Sequence, residues 1–205
     1  MLGTIFKISV SKDKRIKMNY ILKYLKTILI HKKYVFDECR ACGIFWQGVT
    51  HDLSKFSKEE FFSSAKYFCE GKSPHYKDAE ENGYSSAWLH HKGCNPHHWE
   101  YWTDFYEDTG KVKANKIPYK YVVEMVCDWI GAGKAYSKDK WTKDSPLDYY
   151  NKVRSGRHFH PDTEELILKF LKCIKNNGLE EFHSMAKGEG IYAYIYFDYS
   201  DIYIP

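Results

Sequence analysis

Tyr119-Lys-Tyr-Val-Val-Glu-Met-Val-Cys-Asp-Trp-Ile-Gly-Ala-Gly-Lys-Ala-Tyr136 carries Val122, Val123, Met125, Val126, Trp129 and Ile130 at helical spacing. Asp128 lies inside that helix. Its neighbours Val126, Cys127, Trp129 and Ile130 leave little polar face, although Glu124, one turn earlier, offers some. A carboxylate held in so apolar a helix needs a cation as partner.

Upstream, Asn19 to about Glu38 repeats the pattern with Ile21, Leu22, Leu25, Ile28, Leu29 and Val35, which places His31 on a long first helix. A short apolar segment, Gly43 to Asp52, ends on the pair His51-Asp52. Ser57 and Glu60 form a capping box that opens a third helix running to about Glu70. The pair thus sits at a helix-turn-helix corner, where both side chains can point inward. Gly71 to Gly83, with Ser-Pro and a mixed charge run, reads as a loop. Ser85 to His91 reads as helix, and so does the stretch after Pro96 that holds His98, Trp99 and Trp102. Gly110 to Ile117 is a polar connection. A last amphipathic helix spans Thr163 to Asn176, opened by His160-Pro161-Asp162. The expected fold is all-α, a helical bundle over residues 18–190. A tail, residues 1–17, precedes it, and an aromatic arm, residues 191–205, follows as a short β hairpin or extended segment.

A chain of 205 residues suffices for one sizeable core. The 31 basic residues are interleaved with 27 acidic ones, so the net charge of +4 permits an anionic substrate and gives no strong nucleic-acid signal. Six cysteines, with no signal-peptide pattern and no run of eighteen apolar residues, fit reduced thiols in a cytoplasm and no membrane partner. The apolar run Tyr20 to Ile30 is broken by Lys23 and Lys26 and reads as amphipathic. A homodimer is left open.

The chemistry concentrates in histidines and carboxylates. His51 and Asp52, joined by His31 and by imidazoles and an aspartate from other helices, form a nest for a divalent transition metal: Mn, Fe, Co, Ni or Zn. His90, His91, His97 and His98 put four imidazoles into nine residues, which packing rarely requires. A metal site or a phosphate-binding face explains them better. Cys39-Arg-Ala-Cys42 has zinc-ligand spacing, but no second pair follows, and the thiols are expected to pack inward. Gly131-Ala-Gly133-Lys134 imitates the end of a phosphate loop without its first glycine or following Ser/Thr, and closes a helix instead.

The order His31, His51-Asp52, Asp128, all on helices, resembles the HD-domain metal-dependent phosphohydrolases, whose helical fold gathers such residues around a metal. Lys55 stands where one branch of that superfamily carries a phosphate-contacting lysine; the Gly-Tyr-Pro signature of the branch is absent, so its cyclic-dinucleotide specificity does not carry over. More closely, His51-Asp-Leu-Ser-Lys-Phe-Ser57, Asn95-Pro-His-His-Trp99 and Glu124-Met-Val-Cys-Asp-Trp129 resemble a phage and bacterial family catalogued as a domain of unknown function. That resemblance covers about Met18 to Leu171.

The resemblance and metal chemistry together imply a phosphomonoesterase or phosphodiesterase acting on a nucleotide or similar small phosphate ester. His31, His51, Asp52 and Asp128 hold a first cation, and His90 and His97 a second. Neighbours on a helix diverge by about 100°, so one member of each adjacent pair is expected to ligate. His91 and His98 are then left to contact substrate or support the ligands. Asp52, Lys55 and Glu124 are the candidate catalytic residues, Lys55 neutralising a phosphate oxygen and Glu124 carrying a proton. The alternative is a non-catalytic helical factor, such as a phage-encoded one, that binds a nucleotide or a protein and uses the histidines for a structural metal.

Overall fold

In the computed structural model, residues 12–69 and 72–197 are described. Nine α-helices and one two-stranded antiparallel sheet form that part of the chain. The fold is all-α with a small β hairpin.

Helix α1, Lys12–Ala41, and helix α6, Tyr119–Ser137, pack together as the central pair. One stripe of α1 is buried: Tyr24, Ile28, His31, Val35 and Glu38, at i, i+4, i+7 spacing. Nearly every residue of α6 from Val122 to Gly131 is buried, as its composition requires. The two helices approach closely because Gly131 faces Val35; a Cβ at position 131 would stand 2.5 Å from Val35 Cγ2 and 3.0 Å from its backbone nitrogen. Helix α2, Phe45–Thr50, folds back on α1 through Gly48, where a Cβ would meet Cys39 Cβ at 3.0 Å. Helix α3, Lys58–Lys66, closes the Tyr24 end of α1 with Ala65 and Phe68. Helices α7 (Ser145–Val153), α8 (Pro161–Asn177) and α9 (Leu179–Phe197) complete the core on the far side of α6 with Tyr150, Ile167, Phe170 and Phe182. Cys39, Cys42 and Cys127 pack inward, and all six cysteines are free. No helix among the described residues is long and apolar enough to cross a membrane.

Several elements differ from the expectation. Residues 12–17 belong to α1 and are not tail, while residues 1–11 lie outside the described residues. The segment expected as a loop holds helix α4, Pro74–Asn82. Ser73-Pro74 and Gly83, taken as loop punctuation, are its start and stop, with Pro74 in the first turn and Gly83 in the left-handed conformation. Helix α5, Ser86–Cys94, ends before Pro96. The expected helix after Pro96 is only a single 3₁₀ turn, Trp99–Trp102, folded so that the Trp102 indole donates to Pro96 O at 2.7 Å. Strands β1 (Thr103–Tyr106) and β2 (Lys111–Ala114) follow, in register Thr103↔Ala114. The hairpin therefore lies here and not in the expected C-terminal arm. The alternation that suggested a strand after Ile191 falls on α9, which continues to Phe197; residues 198–205 lie outside the described residues. Extending an existing helix fixes one residue per hydrogen bond, whereas an isolated strand has no partner.

Gly131→Ala should force α1 and α6 apart and cost about 1–3 kcal/mol, as overpacking does. At roughly 2–4 °C per kcal/mol for a chain of this size, a thermal melt would register it; an unchanged melting temperature would mean that the helices are not in contact through this glycine.

Candidate metal centre

The corner after α2 is built around Asp52. Its φ of 55° is the single positive value at a non-glycine position among the described residues, a conformation that Asp tolerates better than most. Lys32, one residue beyond His31 on α1, donates to Val49 O at 2.8 Å and His51 O at 2.7 Å, and so ties the corner to α1. The turn points His51 and Asp52 inward together, both about 2% exposed.

Asp52 presents its two oxygens to two groups of donors. Oδ2 lies 3.3 Å from His31 Nε2 and 3.3 Å from His51 Nε2. Asp128 Oδ1, arriving on α6, lies 3.2 Å from His31 Nε2 and 3.4 Å from His51 Nε2. The two Nε2 atoms are 3.4 Å apart. Ligand atoms ~2.0–2.1 Å from a shared tetrahedral cation stand roughly 3.3–3.4 Å from one another, so this set has the spacing of a coordination shell. On the other side, Asp52 Oδ1 lies 3.3 Å from His91 Nε2 and 3.5 Å from His97 Nε2. His98 joins that second set, with all its ligand atoms within 4.8 Å of one another. Asp52 Oδ1 and His97 Nε2 are buried without a hydrogen bond, while Asp52 Oδ2 is met by the Lys55 ammonium. Orphaned polar atoms in this donor set fit a divalent cation on each side of Asp52.

Behind the imidazoles stand two more carboxylates. Glu124 Oε1 accepts from His51 Nδ1 at 2.9 Å and lies 3.2 Å from His97 Nδ1. Glu60 Oε2 accepts from His91 Nδ1 at 2.8 Å. An ionised carboxylate only accepts, so each of these Nδ1 atoms donates and each Nε2 is directed at Asp52, where it offers a lone pair once its ring is neutral. Burial alone would raise the Glu124 and Glu60 carboxyls, but the hydrogen bonds from His51 and His97, and from His91, bring both below their ordinary range. Burial likewise opposes ionisation at Asp52 and Asp128, yet the His51 and Lys55 charges hold Asp52 well down, and hydrogen bonds from His31 and His51 do the same for Asp128. Desolvation pushes the His91 and His98 imidazoles down, toward the neutral form that ligates. Burial also disfavours a charged His51, but Asp52, Asp128 and Glu124 outweigh it and hold the imidazole well above its usual range.

Of the expected ligands, His31, His51, Asp52, Asp128 and His97 converge. His90 does not: it is on the outer side of α5, its Nδ1 2.8 Å from Glu60 Oε1. His91 takes the inner place because α5 turns that residue toward Asp52. Of the adjacent pair His90 and His91, on a helix, only His91 faces Asp52, whereas His97 and His98, in non-helical backbone with His98 at φ −89° and ψ 133°, both fall in the second donor set. Glu124, expected as a proton carrier, is 5% exposed and engaged by two imidazoles. Lys55 Nζ stands 2.5 Å from Asp52 Oδ2 with its side chain 24% exposed.

Sequence reasoning missed Glu60, Lys32, Ser54 and Asn95. Asn95 donates to Ser54 Oγ at 2.7 Å and to His91 O at 2.7 Å, and Ser54 Oγ lies 3.3 Å from His91 Nδ1. Glu60 was hidden by its place in the capping box. Its backbone N–H donates to Ser57 Oγ at 3.2 Å as that motif requires, while its carboxylate turns away to the histidines.

These features define a helical protein with a buried histidine–carboxylate cluster of metal-ligating type. The chain belongs to the DUF5662 family, a family of unknown function, which matches residues 20–173. No curated protein and no solved structure matches.

Glu124→Gln should loosen His51 and His97 together and lower divalent-metal affinity about 10–100-fold, as loss of such supporting carboxylates does. Competition against a chelator would measure it, and wild-type affinity in the variant would remove Glu124 from the centre. Because the cation must displace a proton held on His51 by the surrounding carboxylates, metal loading should release protons and weaken as pH falls through the raised range of that imidazole. Calorimetry in buffers of different ionisation enthalpy reads this directly, and pH-independent loading would contradict it.

Proposed function

We propose that the protein is a metal-dependent phosphohydrolase of HD type, a phosphomonoesterase or phosphodiesterase acting on a nucleotide or similar small phosphate ester. The observation that supports this reading is the sharing of Asp52: one carboxylate with a set of imidazole nitrogens on each of its oxygens. A site that holds one structural ion needs only one such set.

His31, His51, Asp52 and Asp128 would hold one cation, and Asp52, His91, His97 and His98 a second. Divalent ions bound there supply a water of lowered pKa and neutralise charge on a phosphoryl group. The chain's own residues do the rest. Glu124 and Glu60 fix the rings of His51, His97 and His91, so the donor atoms do not reorganise during turnover. Lys55 is the cation at the rim. Once the charge of Asp52 is taken up, its ammonium is released to a substrate oxygen. Asp128, with a side chain 16% exposed, is the most open of the carboxylates and marks the side from which substrate approaches.

A second reading has one observation in its favour. His31, His51, Asp52, His91 and His97 are all 5% exposed or less, as in a closed structural site. It makes the protein a non-catalytic nucleotide- or protein-binding factor.

Metal-loaded protein incubated with a panel of mono-, di- and cyclic nucleotides, followed by phosphate release and product analysis, separates the two. The expected result is turnover of at least one compound, up to two transition-metal ions per chain, and loss of both turnover and stoichiometric metal in His51→Ala and Asp52→Ala, with helical content retained. Tight nucleotide binding without product, or activity that survives in both variants, would sink the hydrolase reading.

A further inference from the structure

Helix α1 carries a second apolar stripe, which the described residues leave largely open; of its members only Leu25 leans on the Tyr24 cluster. Its buried side follows Tyr24, Ile28, His31 and Val35; at 100° per residue, Met18, Leu22, Leu25 and Leu29 form a line about 120° away. Met18 and Leu22 are each 56% exposed and Leu29 50%. A shallow groove runs along Leu22, Leu25, Lys26, Leu29, Ile30 and Lys33. Between residues 18 and 23 every side chain except Ile21, which leans on the Tyr24 cluster, is exposed.

The charge of the chain is gathered on the same helix. Lys12–Tyr34 holds eight basic residues and one acidic residue, whereas acids outnumber bases by 26 to 23 over the rest. The stripe therefore calls for a partner that accepts leucines along a line and ammonium groups beside it. Nucleic acid satisfies the lysines and leaves the leucines in water. A second copy of α1 satisfies the leucines but sets two strongly cationic segments against each other. The chain's own residues 198–205 are too far away. His183 Nε2 lies 2.7 Å from Glu38, and a Cβ on Gly43 would stand 3.3 Å from Lys187, so α9 runs in the same direction as α1 and ends beyond its C-terminal end. At 1.5 Å per helical residue, the way back from Phe197 to Leu29 is about 36 Å, and eight extended residues span at most about 29 Å.

We infer that this face of α1 docks on an anionic lipid surface, the helix lying in the headgroup plane with Met18, Leu22 and Leu29 toward the acyl chains and Lys26 and Lys33 among phosphates. Tyr20, 47% exposed, stands at the same end of the helix and suits the interface as an amphipathic ring. The expectation of no membrane partner rested on the lack of a spanning run, which does not bear on a helix that lies in the interface.

The test is co-sedimentation of the full chain with vesicles of phosphatidylcholine alone or with about one-third phosphatidylglycerol. Binding is expected on the anionic vesicles only and is expected to fall steeply in high salt. Each lysine near such a surface is worth about fivefold in affinity, so the double variant Lys26→Glu/Lys33→Glu should lose well over tenfold. Leu22→Ser/Leu29→Ser should lose binding while circular dichroism and metal content stay as in the wild type, since both leucines are exposed. Absence of binding to anionic vesicles, binding unchanged in either variant, or a wild-type dimer that the leucine variant disperses without any vesicle binding would overturn the proposal.

Discussion

Three carboxylates, Asp52, Glu60 and Glu124, are buried in a helical bundle with Asp128 at their edge, and the rest of the site follows from how that charge is met. Unpaired ions in such surroundings would be prohibitively costly. Imidazoles meet them in alternation. Glu60 and Glu124 each take two Nδ1 protons, and Asp52 and Asp128 face the Nε2 atoms of the inner rings. The outer carboxylates fix ring orientation, so the inner ones meet Nε2 atoms, which offer lone pairs once the rings are neutral. An inner group made of lone pairs and carboxylate oxygens at 3.2–3.5 Å is repulsive unless protons or cations enter it. This is why the polar cluster points to metal where an ordinary buried network of donors and acceptors would not.

The backbone is arranged to make that convergence possible. His31 and Asp128 come from α1 and α6, which only the absence of a side chain at Gly131 lets come so close. His51 and Asp52 come from a corner whose left-handed residue is held by two hydrogen bonds from Lys32. Losing Lys32 would leave two carbonyls without their donor at the place where the chain is most constrained. His97 and His98 come from irregular backbone between α5 and the Trp99–Trp102 turn, where the Trp102 indole bonds back to Pro96 O. Regular secondary structure supplies one ligand per turn of helix, and it is this irregular stretch that lets two consecutive imidazoles enter one site.

What the sequence made legible was whatever depends on local periodicity. The helices bearing His31 and Asp128, the corner at His51-Asp52 and the start of α3 at Ser57 follow from apolar spacing and capping chemistry, and the structure has them where those signals fall. Helix α7 and the hairpin were invisible because their signals are short and their burial is set by α6 and the Trp99–Trp102 turn. The choice of His91 over His90 depends on how α5 is rotated against Glu60. That rotation is a tertiary quantity, and four histidines in two adjacent pairs carry no period that could fix it. Glu60 itself shows how one residue can meet a local rule with its backbone and serve a distant group with its side chain.

Access decides what such a cluster can do. The ligands on the far side of Asp52 are sealed by the stacking of Trp88 on His91, with rings 5.3 Å apart, and by its edge contact with His98 at 5.0 Å. On the near side the cover is thinner. The Asp128 and Lys55 side chains are 16% and 24% exposed, and Tyr136 and Tyr149, 38% and 41% exposed, are close enough to feel the charge of Asp128. The centre is thus asymmetric, closed where Asp52 faces His91 and His97 and open where Asp128 faces α7. A structural ion gains nothing from one thin wall, because water at that wall only competes for the ligands. A reacting ester needs one, and needs a cation such as Lys55 beside it to receive a phosphate without burying an unpaired charge. The asymmetry of exposure therefore weighs on the side of catalysis, against the low exposure of the ligands themselves.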